Sequence, residues 1–378
     1  YLLLISLTGF AGAVLNSYQR FVVPALTPVL LNLSLISVAI WLAPTMQEPS
    51  VALAIGVLIA GFAQLLFQLP ALAGVGLIPR PRWEPKDNGV QRVFALMVPA
   101  LFGVSVTQIN LLLDTVLASF LPAGSVSWLY YSDRLTELPL GVFAIAIATV
   151  ILPALSRHCA TGDDWSFSRT LVWGTRSVLF IAIPSTLALV VLAEPLITTL
   201  FQYGAFQSRD ITMAAASLRA YTLGLGAFML IKVFAPGFYA RKDMKTPVRI
   251  GIIAMVANMI LNLALVFVLH KYFQLGHVGL ALATSVSAWI NATLLYRALF
   301  KEQKFSYSIV PWNWLCRVTI ASGFMAFSLW YLAPEPTAWA AWPWWLRAVE
   351  LATVCGCGLL TLLLGLLLLG IRPRDFLD

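Results

Sequence analysis

The sequence predicts an all-α integral membrane protein: a polytopic helical bundle, two-lobed, of about eleven transmembrane helices. Three observations carry this. The composition is 60% hydrophobic and 11% charged, with a mean hydropathy of +0.87, whereas soluble domains carry about 25% charged residues. Apolar runs of about twenty residues, the length of a membrane-spanning helix, recur from end to end. A membrane β-barrel would show alternating segments of about ten residues instead. Finally, basic residues concentrate in alternate loops.

The predicted spans are 1–16, 22–44, 51–76, 93–121, 125–155, 171–199, 211–239, 247–269, 277–299, 312–333 and 344–370. Tyr1 opens in mid-run without a Met, a basic n-region or a small-residue cleavage site. The first span is therefore read as interior to a longer, N-terminally incomplete chain and not as a signal peptide. With eleven spans, seventeen basic residues fall on one side: Arg20; Arg80, Arg82, Lys86 and Arg92; Arg157, Arg169 and Arg176; Arg241, Lys242, Lys245 and Arg249; Arg297, Lys301 and Lys304; Arg372 and Arg374. Only Arg209, Lys271 and Arg347 fall on the other. The positive-inside rule makes the rich side, and with it the C-terminus, cytoplasmic. Loops facing anionic lipid account for the net charge of +8, and nucleic acid is not needed to explain it.

Prolines interrupt many spans, at Pro24, Pro28, Pro70, Pro99, Pro139, Pro153, Pro184 and Pro236. Each removes a backbone donor and bends its helix, as a hinge or as an ordinary kink tolerated in a membrane bundle. Tyr18-x-Arg20 before Pro24 echoes Tyr239-x-Arg241 before Pro247, six spans later and in the same orientation, as duplication of a six-helix unit would produce. The expected organisation is 1–76 as a remnant of the first lobe, 90–300 as a six-helix second lobe, and 311–370 as two added helices. The last of these reads LLTLLLGLLLLG without a charge. AWAAWPWWLR between the added pair reads as a tryptophan belt at the outer interface.

Six ionisable residues lie deep within spans, at least seven residues from either end: Asp114, Asp133, Arg134, Glu137, Arg219 and Lys232. At about 2.5 to 3.5 kcal/mol each, they would oppose insertion by roughly 15 to 20 kcal/mol if they faced lipid. They must face protein or water. Asp133, Arg134 and Glu137 share a broad helix face by their i, i+3 and i+4 spacing. A guanidinium there keeps its charge and offers a planar fork suited to phosphate oxygens, or else it forms a structural ion pair. Asp114 follows Asn110 by four residues, Asn258 and Asn262 share one face of the eighth span, and Thr284 lies in the ninth. One carboxylate among carbonyl and hydroxyl oxygens suits Na⁺, a protonatable Asp114 suits H⁺, and hydrogen-bonded glue between helices is the third reading. Cys159, Cys316, Cys355 and Cys357 lack metal-ligand spacing, and His158, His270 and His277 are scattered, so no cofactor is expected.

Four stretches carry a family resemblance: NSYQRFVVPALTPVLLN at 16–32, GSVSWLYYSDRLTELPLGVFAIAIATVILPALS at 124–156, FQYGAF at 201–206 and KVFAPGFYARKDMKTPVRI at 232–250. They resemble the MurJ (MviN) lipid II flippases of bacterial peptidoglycan synthesis, within the multidrug/oligosaccharidyl-lipid/polysaccharide exporter superfamily. The resemblance implies a fourteen-helix fold with this chain as the fourth to fourteenth helices, and two lobes around a cationic cavity. It also implies an alternating-access flippase of the inner membrane rather than an enzyme, and a groove by the last two helices for the undecaprenyl tail. The family's essential arginine falls on Arg134 and its acidic neighbour on Glu137. Asp133, Arg219 and Lys232 join them as candidate substrate-binding residues; Asp114, Asn258, Asn262 and Thr284 form the candidate Na⁺ site. The implied partners are lipid II, bilayer lipids and the peptidoglycan synthesis machinery, with no oligomer required.

Three rival readings compete. The first is an exporter of the same superfamily with another cargo, an O-antigen lipid or a cationic drug; a drug exporter would present carboxylates without a balancing arginine, so Arg134 argues against it. A polyprenyl-phosphate-using enzyme would need a sizeable extramembrane loop with catalytic carboxylates, but the longest polar loops, 77–92 and 156–170, are short and cytoplasmic. A membrane scaffold would leave six intramembrane charges unexplained.

Overall fold

The computed structural model describes residues 1–77, 87–301 and 311–371. Arg80, Arg82, Lys86, Lys304, Arg372 and Arg374, all assigned above to the basic side, lie outside the described residues, as do the side chains of Pro99 and Lys301. Among the described residues every regular element is helical. Nine helical stretches there are long and apolar enough to cross a bilayer. The two predicted spans outside those nine, 1–16 and 93–121, lie on α1 (Leu2–Ser17) and α4 (Asn88–Ser119). The chain divides into two compact units, Tyr1–Phe94 and Ala95–Asp378.

In the first unit, α1 packs on α2 (Val22–Trp41) and α3 (Pro49–Gly74). The buried residues of α3 include Ala52, Gly56, Ala60, Gln64, Gln68 and Leu72, an i+4 ladder that turns small and amide side chains toward its neighbours. Lipid tails are as apolar as leucine, so helices here associate through close packing and hydrogen bonds. Gln64 Nε2 donates to the Thr27 carbonyl at 3.2 Å and Gln68 Nε2 to Thr27 Oγ1 at 3.0 Å, beside Pro28.

The second unit is built around α6 (Ile145–Thr161), α7 (Asp164–Val191), α10 (Leu225–Ala240) and α12 (Gly276–Lys301). Ile151, Leu171, Val233 and Leu299 lie in its core. Helix α11 (Lys245–Phe273) shows why this is a membrane fold. Ile250, Ala254, Asn258 and Asn262 are buried at i+4 intervals, while Val256, Ile260, Leu263 and Phe267 are exposed. Polar residues inside and large apolar residues outside is the arrangement a hydrocarbon solvent selects. Helices α13 (Trp312–Leu332) and α15 (Trp344–Leu368) pack on each other, and α13 packs on α7.

Three predicted spans are not simple rods. The fifth runs as α5 (Ser125–Pro139), a π-helical turn (Leu140–Ala144) and α6. The wide turn follows Pro139, whose ring cannot donate to the ladder. The sixth breaks at Leu192 into α7 and α8 (Ala193–Phe201). The seventh, read from sequence as one helix, breaks into α9 (Ser208–Thr222) and α10, and no proline lies at the break. A Cβ on Gly224 would stand 2.8 Å from the Ser285 Cα, so only glycine lets α12 approach here. The freed carbonyls are capped from α12: Ser285 Oγ donates to Ala220 O at 2.7 Å, and Trp289 Nε1 to Leu223 O at 2.9 Å. That is the condition on which irregular backbone survives at membrane depth.

The tryptophan segment also departs from expectation. Trp344 and Trp345 are exposed, but Trp339, on α14 (Pro336–Ala341), is fully buried and donates to Thr199 Oγ1 at 2.9 Å. Arg347, read from sequence as an outer-loop charge, is buried, with its guanidinium donating to the carbonyls of Trp342, Ala340 and Thr198. The paired Tyr-x-Arg stretches end helices in the same manner but out of register. Gln19 takes φ +59 one residue after Tyr18, and Lys242 takes φ +60 three residues after Tyr239.

Candidate functional site

Helix α5 has two faces. Trp128, Leu129, Ser132, Leu135 and Thr136 are buried, and Ser132 Oγ donates to Ala214 O on α9 at 2.7 Å, pinning the helix to its neighbour. The other face exposes Ser127, Tyr130, Arg134, Glu137 and Gly141 at steps of three and four, one continuous stripe. Arg134 Nη1 donates to Glu137 Oε2 at 2.6 Å, with the two side chains 52% and 49% exposed, and the guanidinium lies 5.0 Å from the centre of the Tyr130 ring. Arg134 is thus presented away from the packed core of its unit.

Asp133 does not lie fully on that stripe. It is half-buried, has no hydrogen-bond or ion-pair partner among the described residues, and acts on Arg134 and Glu137 only through space. Arg219 is committed elsewhere: Nη2 donates to Glu194 Oε1 at 3.0 Å and Nε to Val190 O at 3.3 Å, which ties the end of α9 across the break between α7 and α8. Lys232 is exposed on α10 and has no ion-pair partner among the described residues. Glu194 has no feature in the sequence that marks it as an intramembrane partner, because it sits near the end of an apolar run. The available clue was that an arginine within a span, as Arg219 is, needs a carboxylate at its own depth.

The second cluster brings together four residues chosen from sequence. Asn262 Nδ2 donates to Asp114 Oδ1 at 2.6 Å and to Asn258 Oδ1 at 3.0 Å, and Asn258 Nδ2 reaches Thr284 Oγ1 and Ser287 Oγ, both at 3.4 Å. Asn110 Nδ2 adds a weaker bond to Asp114 Oδ2 at 3.3 Å. The i+4 spacing of Asn258 and Asn262 aims both amides at one seam between α4, α11 and α12. Ser287 joins the cluster three residues after Thr284 on the same face. Two buried oxygens, Asn110 Oδ1 and Asn262 Oδ1, accept no hydrogen bond from the described residues. The seam therefore holds one carboxylate and unspent oxygen ligands, a donor set that fits a hard monovalent cation.

A third feature is an apolar cavity of about 280 Å³ between α7, α13 and α15, lined by Phe143, Phe180, Pro184, Met325, Leu329 and Leu359 among others.

A family model described as lipid II flippase MurJ matches residues 1–342. The chain belongs to this family. It is 48% identical over 375 residues to a probable lipid II flippase MurJ of Vibrio cholerae serotype O1, covering 99% of this chain and 70% of that protein. It is 45% identical over 383 residues to the probable lipid II flippase MurJ of Haemophilus influenzae, covering 100% of this chain and 74% of that one. Among solved structures, a lipid II flippase MurJ in an inward closed conformation superposes with a TM-score of 0.78 at 26% identity, covering 99% of this chain and 72% of the other. The MurJ family is one of transporters. The family match thus bears out the resemblance carried by YYSDRLTELP and FQYGAF, and the enzyme and scaffold readings fall away.

Proposed function

We propose that this MurJ-family chain carries lipid II from the inner to the outer leaflet of the bacterial cytoplasmic membrane by alternating access, with Arg134 as the cation beside which the diphosphate passes. The observation that carries the reading is the exposure of an Arg134–Glu137 pair at mid-helix within an apolar span. Two charges facing lipid would cost about 5 to 7 kcal/mol on the insertion scale, so the stripe belongs against water or a polar partner. An ion pair in such a setting contributes only about 0.2 to 1 kcal/mol. Glu137 therefore neutralises Arg134 in the resting state yet gives way readily to a phosphate, whose oxygens match the guanidinium fork. A fixed cation in a watered passage removes most of the desolvation cost that forbids a diphosphate headgroup from crossing hydrocarbon unaided.

Lys232, exposed and unpaired among the described residues, is a second cation for the same headgroup, and Asp133 biases Arg134 by its charge. Arg219, held by Glu194, serves better as a brace for the broken helices. The apolar cavity by α13 and α15 suits a segment of the prenyl chain, with 90–300 as the moving six-helix lobe and 311–370 as its lipid-side flank. The Asp114, Asn258, Asn262 and Thr284 seam is the proposed coupling site for Na⁺ or H⁺. A coupling ion drives the switch only if it binds the two states unequally. The basic loops support a cytoplasmic C-terminus, where the peptidoglycan synthesis machinery is a candidate partner, and the transport step uses a single copy.

The test is complementation of a strain depleted of its own flippase. Arg134→Ala should insert and accumulate normally yet fail to support growth. Normal growth would remove the cation from the mechanism.

A further inference from the structure

Above the Arg134 stripe lies a pocket that the transport reading does not use. It has a volume of about 450 Å³ and sits at one end of α5, between the turn before that helix and the segment joining α8 to α9. Its walls are five aromatic rings: Trp128, Tyr131, Phe201, Tyr203 and Phe206. The Tyr131 ring lies 4.5 Å from Phe201 at a shallow angle of 34° and 5.5 Å from Phe206 at 85°, so two walls meet nearly at a right angle. Trp128 is locked: its Nε1 donates to Asp210 Oδ1 at 2.8 Å. Gly124, at φ +101, leaves the Trp128 ring the space a Cβ would take. Tyr203 is fixed through its hydroxyl to Thr199 O at 2.8 Å.

The chemistry of the lining narrows the occupant. Among the described residues no Lys or Arg lines the pocket, which leaves an anion without a counter-charge. The one acid, Asp210, is already compensated. It sits in the first turn of α9, where the helix dipole favours negative charge, and its Oδ2 accepts the Gln207 N–H at 2.8 Å in a capping box. A cation would gain little from such a carboxylate. What remains is a neutral ligand with apolar faces and hydroxyl edges. A pyranose ring has both: its axial C–H bonds carry slight positive charge that suits the negative face of an aromatic ring. The carboxylate keeps spare lone pairs for a sugar hydroxyl, and Ser127 offers an exposed hydroxyl at the rim.

We infer that this aromatic pocket is a saccharide subsite at the outer end of the translocation path. It takes the sugar portion of the headgroup whose diphosphate passes Arg134, and to that extent the inference rests on the proposed function. Ser127 belongs both to the pocket rim and to the exposed stripe, two helical turns, or about 10 Å, from Arg134. Phosphate and sugar are then read along one helix, with Ser127 at the junction of the two. Uncharged aromatic stacking holds the glycan loosely as the anion leaves its cation, a combination that favours release over retention.

The test uses the purified protein in nanodiscs and saturation-transfer NMR with N,N′-diacetylchitobiose as probe and choline as the cationic comparison. Saturation should reach the chitobiose ring protons in the wild type. It should fall at least fivefold in Tyr131→Leu and in Phe206→Leu, and persist in Tyr131→Phe, which keeps the ring and guards against a folding defect. Transfer to choline but not chitobiose, or equal chitobiose transfer in wild type and Tyr131→Leu, would overturn the assignment. Arg134→Ala should keep chitobiose transfer while losing complementation. An Arg134→Ala variant that complements would therefore sink the transport reading without touching the pocket, and loss of chitobiose transfer in all proteins would sink the pocket alone.

Discussion

Replacing Glu137 by glutamine isolates the role of the ion pair on α5. The amide keeps the size of the side chain and removes its charge, so Arg134 loses its 2.6 Å partner while the buried face of α5 is untouched. Both side chains are about half exposed, which limits the pair to about 0.2 to 1 kcal/mol of stability, and the melting temperature should move little. The same quantity is what a phosphate must overcome to displace Glu137. Removing it should tighten diphosphate binding by about 1.4- to 5-fold, since about 1.4 kcal/mol corresponds to tenfold. Release slows in proportion, so complementation should weaken although affinity rises. Calorimetric titration of the protein in nanodiscs with geranyl pyrophosphate measures the first effect, and growth of the depleted strain measures the second. A tenfold loss of affinity in Glu137→Gln would mean that the carboxylate helps to build the anion site and does not compete for it, and the exchange mechanism would fail.

Other consequences follow from the same geometry. Asp114→Asn should alter the dependence of transport on Na⁺ or on pH, and transport indifferent to both in the wild type would remove the coupling site. Gly224→Ala drives a Cβ into the backbone of α12 and should cost about 1 to 3 kcal/mol by overpacking, seen as a lower unfolding temperature; an unchanged value would mean the break tolerates separation from Ser285. Arg347→Met leaves three carbonyls without their donor and should destabilise the α8 to α15 junction by about 1 to 3 kcal/mol, with Trp339 becoming accessible to quenchers. At the N-terminal ends of α7 and α11, hydrogen bonds from the side chain and amide of Ser166 to Asp163, and from the side chain and amide of Thr246 to Asp243 with the Lys245 amide adding to them, hold both carboxyls below the usual aspartate range. A lowered folded-state value stabilises the cap above the unfolded value of about 3.9 and loses it as pH falls through the folded one. Protection of the Ser166 and Thr246 amides relative to their intrinsic exchange rates should fall only in acid, and a loss of protection near neutral pH would contradict the capping role.

The membrane architecture was legible because hydrophobicity is additive along a helix. Runs such as 247–269 carry the signal whatever their partners do. The polar seam was legible for a related reason: the i+4 spacing of Asn258 and Asn262 fixes a shared face before any neighbour is known. Breaks in the backbone were not legible. Leu192 and Gly224 sit in apolar surroundings, and hydropathy does not register a change in φ and ψ; the proline at 139 hinted at its π turn, while Gly224 gained its meaning from Ser285, sixty-one residues away in sequence. Charge pairing was half legible. The i+3 spacing gave Arg134 and Glu137, whereas Arg219 and Glu194 meet only through tertiary packing. Arg347 looked like a loop cation because its partners are backbone carbonyls, which leave no trace in residue identity.

Water access to position 134 tests the central claim most directly. In a cysteine-free background, Arg134→Cys can be challenged with a membrane-impermeant, charged methanethiosulfonate, alongside Leu263→Cys as a lipid-facing reference. Arg134 on a watered passage predicts rapid modification of Arg134→Cys, slowed by added lipid II, and an inert Leu263→Cys. Modification of Arg134→Cys as slow as that of Leu263→Cys, or at a rate lipid II leaves unchanged, would contradict a headgroup path along α5.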